Sequence, residues 1–148
     1  MKKTILNSVN EAIKVIEFLK EDVSLNFMEK AAQLLIDSLK QGGKILIVGN
    51  GGSLCDAMHF AEELSGQFRS KRKALAAIAL ADPGHMSCVA NDFGFNEVFA
   101  RGVEALGRKG DVLVSLTTSG NSKNIVQAIK KAKEMGLRTV TFLGKEVS

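Results

Sequence analysis

Glycines and a hydroxyl residue directly follow the apolar run at residues 45–48 of this sequence. Gly51 and Gly52 permit positive φ and leave backbone N–H groups open to a ligand. Ser53 stands at the predicted N-cap of the next helix, with Asp56 as a capping-box-like partner. A buried strand, a glycine turn and a helix start aim unpaired N–H groups and a positive helix-dipole end at one point. The pattern favours an anion, although a plain strand-to-helix turn with a good cap explains it equally well.

A second loop, at residues 117–122, also follows a predicted strand and precedes a predicted helix. Taken singly, each of its hydroxyls is typical of an ordinary cap or turn. Together with Ser53, however, they favour a phosphate held by hydroxyls and backbone N–H groups, because ligands of parallel sheets lie beyond the carboxyl ends of the strands. The hydroxyl residues are Thr117, Thr118, Ser119 and Ser122.

His59 and Glu63 are four residues apart on the helix predicted after the first loop, so they share one face with Asp56. Phe60 and Leu64 are predicted to point elsewhere. A helical His–Glu pair is commonly a solvated surface contact. Beside a phosphate loop, the alternatives are a carboxylate base or two ligands of a metal site.

The Asn91-Asp92 pair is the remaining polar candidate. Its side chains could contact sugar hydroxyls, and the same residues before Phe-Gly also predict an ordinary turn. His85 has no identifiable partner in the sequence, so a structural role is expected for it.

Helices and strands that alternate along the chain must position these residues. Apolar spacing predicts two amphipathic helices before the first strand, over about 5–20 and from 24 or 25 to 42. Ala57, Phe60, Ala61 and Leu64 are predicted to face the core, as are Val98, Phe99, Val103 and Leu106. Further helices are predicted over 54–67, 85–90, 97–106 and 123–135, strands over 45–48, 74–80, 111–116 and 139–143, and turns at 82–84 and 91–94.

Strands that alternate with helices predict an α/β fold, with a parallel sheet covered by helices on both faces. We expect residues 1–148 to form a single domain, with N-terminal helices over 1–43 and an α/β core over 44–148. The two leading helices have no strand to cover, so they suit either the sheet that follows or a partner subunit.

Composition and short motifs exclude several classes of function. The chain has 20 Lys and Arg against 16 Asp and Glu, a net charge of +4, and neither Trp nor Tyr, which disfavours nucleic-acid binding. The sequence G-N-G-G-S matches neither G-x-G-x-x-G nor a P-loop, so nucleotides are weak candidates. No apolar stretch predicts a membrane span or a secretory signal, and Cys55 and Cys88 are expected to be reduced thiols in a cytoplasmic protein.

Four stretches of the sequence, taken in order, resemble the sugar isomerase (SIS) domain and, more narrowly, the phosphoheptose isomerases. The resemblance implies a flavodoxin-like three-layer sandwich, a homotetramer, and conversion of sedoheptulose 7-phosphate to glycero-manno-heptose 7-phosphate for the ADP-heptose of lipopolysaccharide. The stretches are G-N-G-G-S at 49–53, D-A-M-H-F-A-E-E-L at 56–64, N-D-F-G-F at 91–95 and T-S-G-N-S at 118–122.

The resemblance also implies roles for individual residues. Glu63 would be the catalytic acid/base, and His59 and Glu63 would contribute to one zinc site. Asn50 and Asp92 would meet the sugar. The substrate's phosphate would be held at the two loops, by Gly51, Gly52, Ser53, Thr117, Thr118, Ser119 and Ser122.

Compared with the family pattern, the sequence differs at two places. Gln67 stands where many relatives have Arg. The family's C-terminal strand and helix, which carry a second acid/base and the remaining metal ligands, are expected to be missing, with impaired activity as the consequence. The alternative is a non-catalytic SIS protein, either a sugar-phosphate-binding module or an adaptor associated with the replication initiator.

Overall fold

A computed structural model describes residues 1–144 of the chain. The helices are α1 (Lys2–Phe18), α2 (Asp22–Lys40), α3 (Gly52–Ser65), α4 (Pro83–Phe93), α5 (Val98–Leu106) and α6 (Lys123–Glu134), with a 3-10 turn at Phe95–Glu97. The strands are β1 (Ile45–Gly49), β2 (Ala77–Ala79), β3 (Val112–Thr117) and β4 (Arg138–Leu143). The predicted alternation of helices and strands is confirmed.

The chain divides into two compact units, Met1–Leu34 and Leu35–Ser148. The first unit contains α1 and most of α2, and no residue of α1 is buried. The second unit contains the end of α2 and, within the described residues, the whole sheet with α3 to α6. A single domain over 1–148 therefore stays a prediction.

The sheet has strand order β2-β1-β3-β4, and every neighbouring pair is parallel. Ile45 of β1 pairs with Ala77 of β2 on one side and with Val112 of β3 on the other. Central strands of this kind are buried on both faces, and all of β1 is buried. The parallel α/β fold class is confirmed.

Helices cover both faces of the sheet. Leu46 and Leu113 belong to a buried apolar cluster with Val89 of α4, Phe99 of α5 and Ile125 of α6. Successive side chains of β1 alternate between faces, and α3 packs against β1 and β2 with Ala57 and Ala61 buried. The core therefore fixes α3, which carries the His59–Glu63 pair.

Two local expectations differ from the structure for hydrogen-bonding reasons. Strand β2 is shorter than predicted, because the N–H of Leu75 donates to the Leu64 carbonyl at the end of α3 (3.0 Å). The predicted turn at 82–84 is the start of α4. Asp82 is its N-cap, with the Asp82 carboxylate accepting from the N–H of His85 (2.6 Å) and Pro83 in the first turn, where its fixed φ suits a helix.

Three further expectations concern side chains. Helix α4 continues to Phe93, so Asn91 and Asp92 lie in its last turn and not in a separate turn. Leu106 was expected in the core and is 43% exposed, because it ends α5 and lines open hollows there. A ring nitrogen of His85, Nε2, lies 2.9 Å from the carbonyl oxygen of Val98, so the predicted structural role of His85 is confirmed.

A buried carboxylate joins the amino ends of the two central strands. Asp111 accepts hydrogen bonds from the N–H of Lys44 (2.9 Å) and the N–H of Arg108 (2.8 Å), and it pairs with the Lys44 ammonium (2.5 Å). Burial alone would raise the pKa of Asp111, but the hydrogen bonds from Lys44 and Arg108 outweigh it and leave the pKa lowered. Asp111 therefore stays ionised and anchors this edge of the sheet, opposite the glycine loops.

Candidate functional site

The two glycine-containing loops lie side by side because they follow adjacent strands. Gly49, the last residue of β1, pairs in register with Leu116 of β3, so both loops leave the same edge of the sheet. A Cβ at Gly49 would lie 2.4 Å from the carbonyl oxygen of Ser53, so glycine is required where α3 folds over the strand end. Since β1 lies between β2 and β3, the connections diverge at this point, which is where open parallel sheets bind ligands.

Ser53 lies inside the first turn of α3 and is not its N-cap. The N-cap is Gly51, with φ 55°, which has no side chain that could cap the helix. The N–H of Ser53 already donates to the carbonyl of Asn50 (3.0 Å), because Gly51 adopts a positive φ that reverses the chain before Ser53. The predicted N-cap and its capping box with Asp56 are therefore wrong. The Ser53 hydroxyl remains at the positive end of α3, half-buried.

A reciprocal pair of amides links the two loops. The Asn50 amide nitrogen donates to Oδ1 of Asn124 (2.9 Å), and the Asn124 amide nitrogen donates to Oδ1 of Asn50 (2.8 Å). Asn124 is buried in the first turn of α6, where its Oδ1 also accepts the N–H of Ile125 (2.9 Å). Sequence analysis missed Asn124. Its position beside a predicted phosphate loop was the only available signal.

Two hydroxyls shape the loop at 117–122, and two others have no side-chain hydrogen bond among the described residues. Oγ1 of Thr117, which is buried, accepts the N–H of Gly120, and Oγ of Ser119 accepts the N–H two residues later (both 3.3 Å). Ser122 is the N-cap of α6 without using its side chain as a cap, and Thr118 is exposed. This leaves the hydroxyls of Thr118 and Ser122 free to donate to an anion at the start of α6.

The hydrogen bonds that the structure shows for Asp92 stay within α4 and do not reach the two loops. Its carboxylate accepts from the amide of Asn91 (2.8 Å) and from the thiol of Cys88 (3.6 Å), both in α4. Within residues 1–144, no hydrogen bond joins Asp92 to either loop. Its contact with a sugar stays a prediction.

The His59–Glu63 pair forms as predicted on α3. Nε2 of His59 and Oε1 of Glu63 are 3.1 Å apart, with the histidine side chain 71% exposed and the glutamate 29%. Glu62 joins them, because one ligand atom from each of the three residues lies within 4.8 Å of the others. Sequence analysis missed Glu62, although its place three residues after His59 puts it within reach on the helix surface.

The pair opens onto a hollow of about 470 Å³. Phe60 and Leu64 line this hollow as well, so the expectation that they point elsewhere is wrong. The reason is that they neighbour His59 and Glu63 on the helix surface and are only half-buried against the sheet. The remaining lining residues are Asp56, Phe68 and Arg72.

The donor set at this position fits a divalent metal ion. One imidazole nitrogen and two carboxylates are ligands that zinc accepts in open sites, where water or a substrate completes the coordination. The exposure of His59 leaves such positions accessible. His59, Glu62 and Glu63 are therefore a candidate metal-binding group.

No helix within residues 1–144 is both long and apolar enough to span a membrane.

Comparison with known proteins identifies clear relatives. Residues 9–144 match the model of the SIS domain family. The chain is 54% identical over 143 residues to phosphoheptose isomerases of Escherichia coli O139:H28 and Shigella boydii serotype 18, covering 96% of this chain and 74% of each relative.

Solved structures agree with the sequence relatives. A phosphoheptose isomerase from Neisseria gonorrhoeae superimposes with a TM-score of 0.90 at 38% identity, over 98% of this chain and 76% of that one. One from Francisella tularensis gives a TM-score of 0.89 at 33% identity, over 97% and 75%.

Proposed function

This chain belongs to the SIS domain family and to the phosphoheptose isomerases within it, and from that premise we propose how it acts. Its substrate is sedoheptulose 7-phosphate and its product D-glycero-D-manno-heptose 7-phosphate, which supplies ADP-heptose for the lipopolysaccharide core. The observation that carries the proposal is the junction of the two loops, linked by Asn50 and Asn124, at the start of the helix that bears His59 and Glu63.

The phosphate binds where the two loops meet. The first turns of α3 and α6 start at these loops, and their N–H groups and dipoles attract an anion. Hydroxyl donors add directional hydrogen bonds. The phosphate-binding residues are Gly51, Gly52, Ser53, Thr117, Thr118, Ser119 and Ser122, and Asn50 and Asp92 contact the sugar.

The isomerisation takes place at the other end of the substrate. Along α3, Glu63 is about 15 Å from Ser53 at the ordinary helical rise, which separates the acid/base from the phosphate. Glu63 removes a proton from C1 of the open-chain ketose and the enediol forms. The proton is returned to C2, while the hydroxyl proton moves from O1 to O2 through a second acid/base, which the family pattern places on its C-terminal helix. The carbonyl thus moves from C2 to C1.

We include one zinc ion in the proposal, held by His59 and Glu63. When bound, zinc would polarise the substrate's oxygens as a Lewis acid. The 3.1 Å contact between Nε2 of His59 and Oε1 of Glu63 keeps both ligands close together before any metal binds. Glu62 stands nearby as a third ligand.

We further propose a homotetramer in the cytoplasm. Apolar side chains of α1 are exposed in the single chain, as an intersubunit surface requires. Cys55 and Cys88 are both free and exposed, as in proteins of a reducing compartment.

The test is an isomerase assay on the full chain and on Glu63→Gln, with sedoheptulose 7-phosphate as substrate. The amide keeps the shape of Glu63 but cannot take a proton, so kcat should fall by about 10²–10⁴-fold while calorimetric binding of the substrate persists. Glu134→Gln, at an exposed position at the end of α6, is the matched control.

The alternative, a non-catalytic SIS protein, predicts a different outcome. The unaltered chain would then bind sedoheptulose 7-phosphate without converting it, and Glu63→Gln would change nothing.

A further inference from the structure

Arg72 binds backbone carbonyls at the end of α3 and, among residues 1–144, no carboxylate. Its Nη1 donates to the carbonyl of Leu64 (2.8 Å) and to that of Lys73 (3.0 Å), and its Nη2 donates to the carbonyl of Glu63. Within residues 1–144, no ion pair joins the Arg72 guanidinium to the Glu63 side chain. The carboxylate of Glu63 is therefore left to contact His59.

These bonds supply partners that the helix itself lacks. The last carbonyls of a helix have no intrahelical N–H to accept from, and a cation at this end also opposes the negative end of the dipole. The Glu62 carbonyl accepts the N–H of Gly66 (2.7 Å), whereas the carbonyl of Glu63 accepts from Arg72. The planar fork of the guanidinium presents its donors to two successive carbonyls in a fixed geometry, whereas an ammonium is a point charge on a flexible stem.

Arg72 also connects the two parts of the chain that line the hollow, helix α3 and the segment at 66–76. The segment from Gly66 to Ala76 leaves α3 and leads into β2, and Phe68 and Arg72 of this segment line the hollow with His59 and Glu63. The fork of Arg72 reaches back across this segment to the carbonyl of Glu63. One side chain therefore holds both the backbone of Glu63 and the segment at 66–76 in position.

We propose that Arg72 is a positioning residue for the isomerisation, acting through the backbone of Glu63. This rests on the proposed function of Glu63 as acid/base and adds to it a residue that does not touch the substrate. Small displacements of a catalytic group cost large factors in rate, because the reacting atoms must meet within a narrow geometry.

The experiment compares Arg72→Ala and Arg72→Lys in the full chain, using sedoheptulose 7-phosphate. In Arg72→Ala, kcat should fall by about 10- to 100-fold with KM close to that of the unaltered chain, because the phosphate is held at the two loops. Arg72→Lys keeps the charge but not the fork, so it should recover only part of the loss. Lys71→Ala removes the same charge from the same segment and should leave kcat unchanged.

Chemical rescue separates positioning from a general loss of structure. Methylguanidine at non-denaturing millimolar concentration should restore part of the kcat of Arg72→Ala, and methylammonium should not. An unchanged kcat in Arg72→Ala, or a loss that methylguanidine leaves untouched, would overturn the proposal.

Two further measurements keep this result distinct from a failure of the proposed function. If the unaltered chain does not convert the sugar phosphate, two other measurements test the positioning role of Arg72. They are hydrogen exchange at the last turn of α3 and Co²⁺ titration of the His59–Glu63 pair. Arg72→Ala should speed the exchange and weaken Co²⁺ binding, and Lys71→Ala should do neither. No change in either quantity contradicts the positioning role of Arg72 whatever the substrate.

Discussion

At the scale of single residues, the Asn50–Asn124 pair shows why amides are needed between the loops. Each amide offers a donor and an acceptor, so two asparagines facing each other satisfy both groups on both sides. Asn124 is buried, where an unpaired polar group would be costly. The pair thus links the loops that lead into α3 and α6 without placing a charge beside the proposed phosphate site.

Asn124→Asp tests this coupling. The carboxylate still accepts from Asn50 but no longer donates to its Oδ1, and it adds a negative charge beside the proposed phosphate. Binding of sedoheptulose 7-phosphate should weaken by about 1–3 kcal/mol, or roughly 5- to 150-fold in Kd. Calorimetric titration measures this, with Gln127→Glu, one turn further along α6, as the control. Equal affinity in Asn124→Asp would show that the amide pair does not shape the anion site.

Residue-level prediction from the sequence succeeded where spacing alone decides contact. His59 and Glu63 meet because residues four apart on a helix are neighbours. Asn50 and Asn124 are 74 positions apart, so only the sheet brings them together. No periodicity in the sequence marks such a pair.

At the scale of elements, the strands and helices predicted from apolar runs and helical spacing are present in the fold. In the sheet and in α3 to α6, burial of the apolar positions explains this agreement. The ends of elements depend instead on single backbone and side-chain contacts. Gly51, with its positive φ, starts α3 ahead of Ser53, and the Asp82 carboxylate turns an apparent Pro-Gly turn into the start of α4. Sequence patterns therefore predict the existence of α3 and α4 more accurately than the residues at which these helices begin.

Asp111 joins the amino ends of the two central strands as a buried carboxylate, so its contribution to stability depends on pH. The folded-state pKa of Asp111 is lowered from its ordinary 3.8, which means that the fold favours the carboxylate over the acid. Its stabilisation is fully present above the unfolded-state pKa. It is lost as the pH falls below about 4 and through the lowered folded-state pKa.

Asp111→Asn should therefore destabilise the chain by about 2–4 kcal/mol at pH 7, since a buried partner of Lys44 is lost. The difference from the unaltered chain should shrink below pH 4. Urea unfolding at pH 7, 5 and 3 measures both effects. Glu104→Gln, which removes the exposed ion pair with Arg101, should change the unfolding free energy little at any of these pH values. A pH-independent difference for Asp111→Asn would refute the ionic role.

At the scale of the whole molecule, the sequence specified the α/β class and the family, while strand order and loop adjacency required the three-dimensional fold. The order β2-β1-β3-β4 depends on the side of the preceding strand on which each new strand is added. Local sequence patterns do not predict this side. The amphipathic pattern of α1 correctly predicts a helix. The apolar face of α1, however, is not buried, because every residue of this helix is exposed.

The apolar face of α1 carries the last prediction. Ile5, Val9, Ile13 and Ile16 recur at helical spacing and are between 47% and 61% exposed. Burying side chains of this kind contributes about 1.5–3 kcal/mol each. If a second subunit buries the exposed apolar face of α1, this free energy would hold the subunits together. The combined variant Val9→Asp with Ile13→Asp should therefore weaken self-association by at least about 3 kcal/mol.

Sedimentation velocity at micromolar concentration measures the outcome. The unaltered chain should sediment as an oligomer and the double variant as smaller species. Asn10→Asp with Lys14→Asp places two carboxylates on the neighbouring polar face of the same helix, so this control should leave the assembly intact. Circular dichroism on both variants distinguishes lost association from lost helix. If the unaltered chain sediments as a monomer, or if both double variants dissociate equally, the apolar face of α1 is not the contact between subunits.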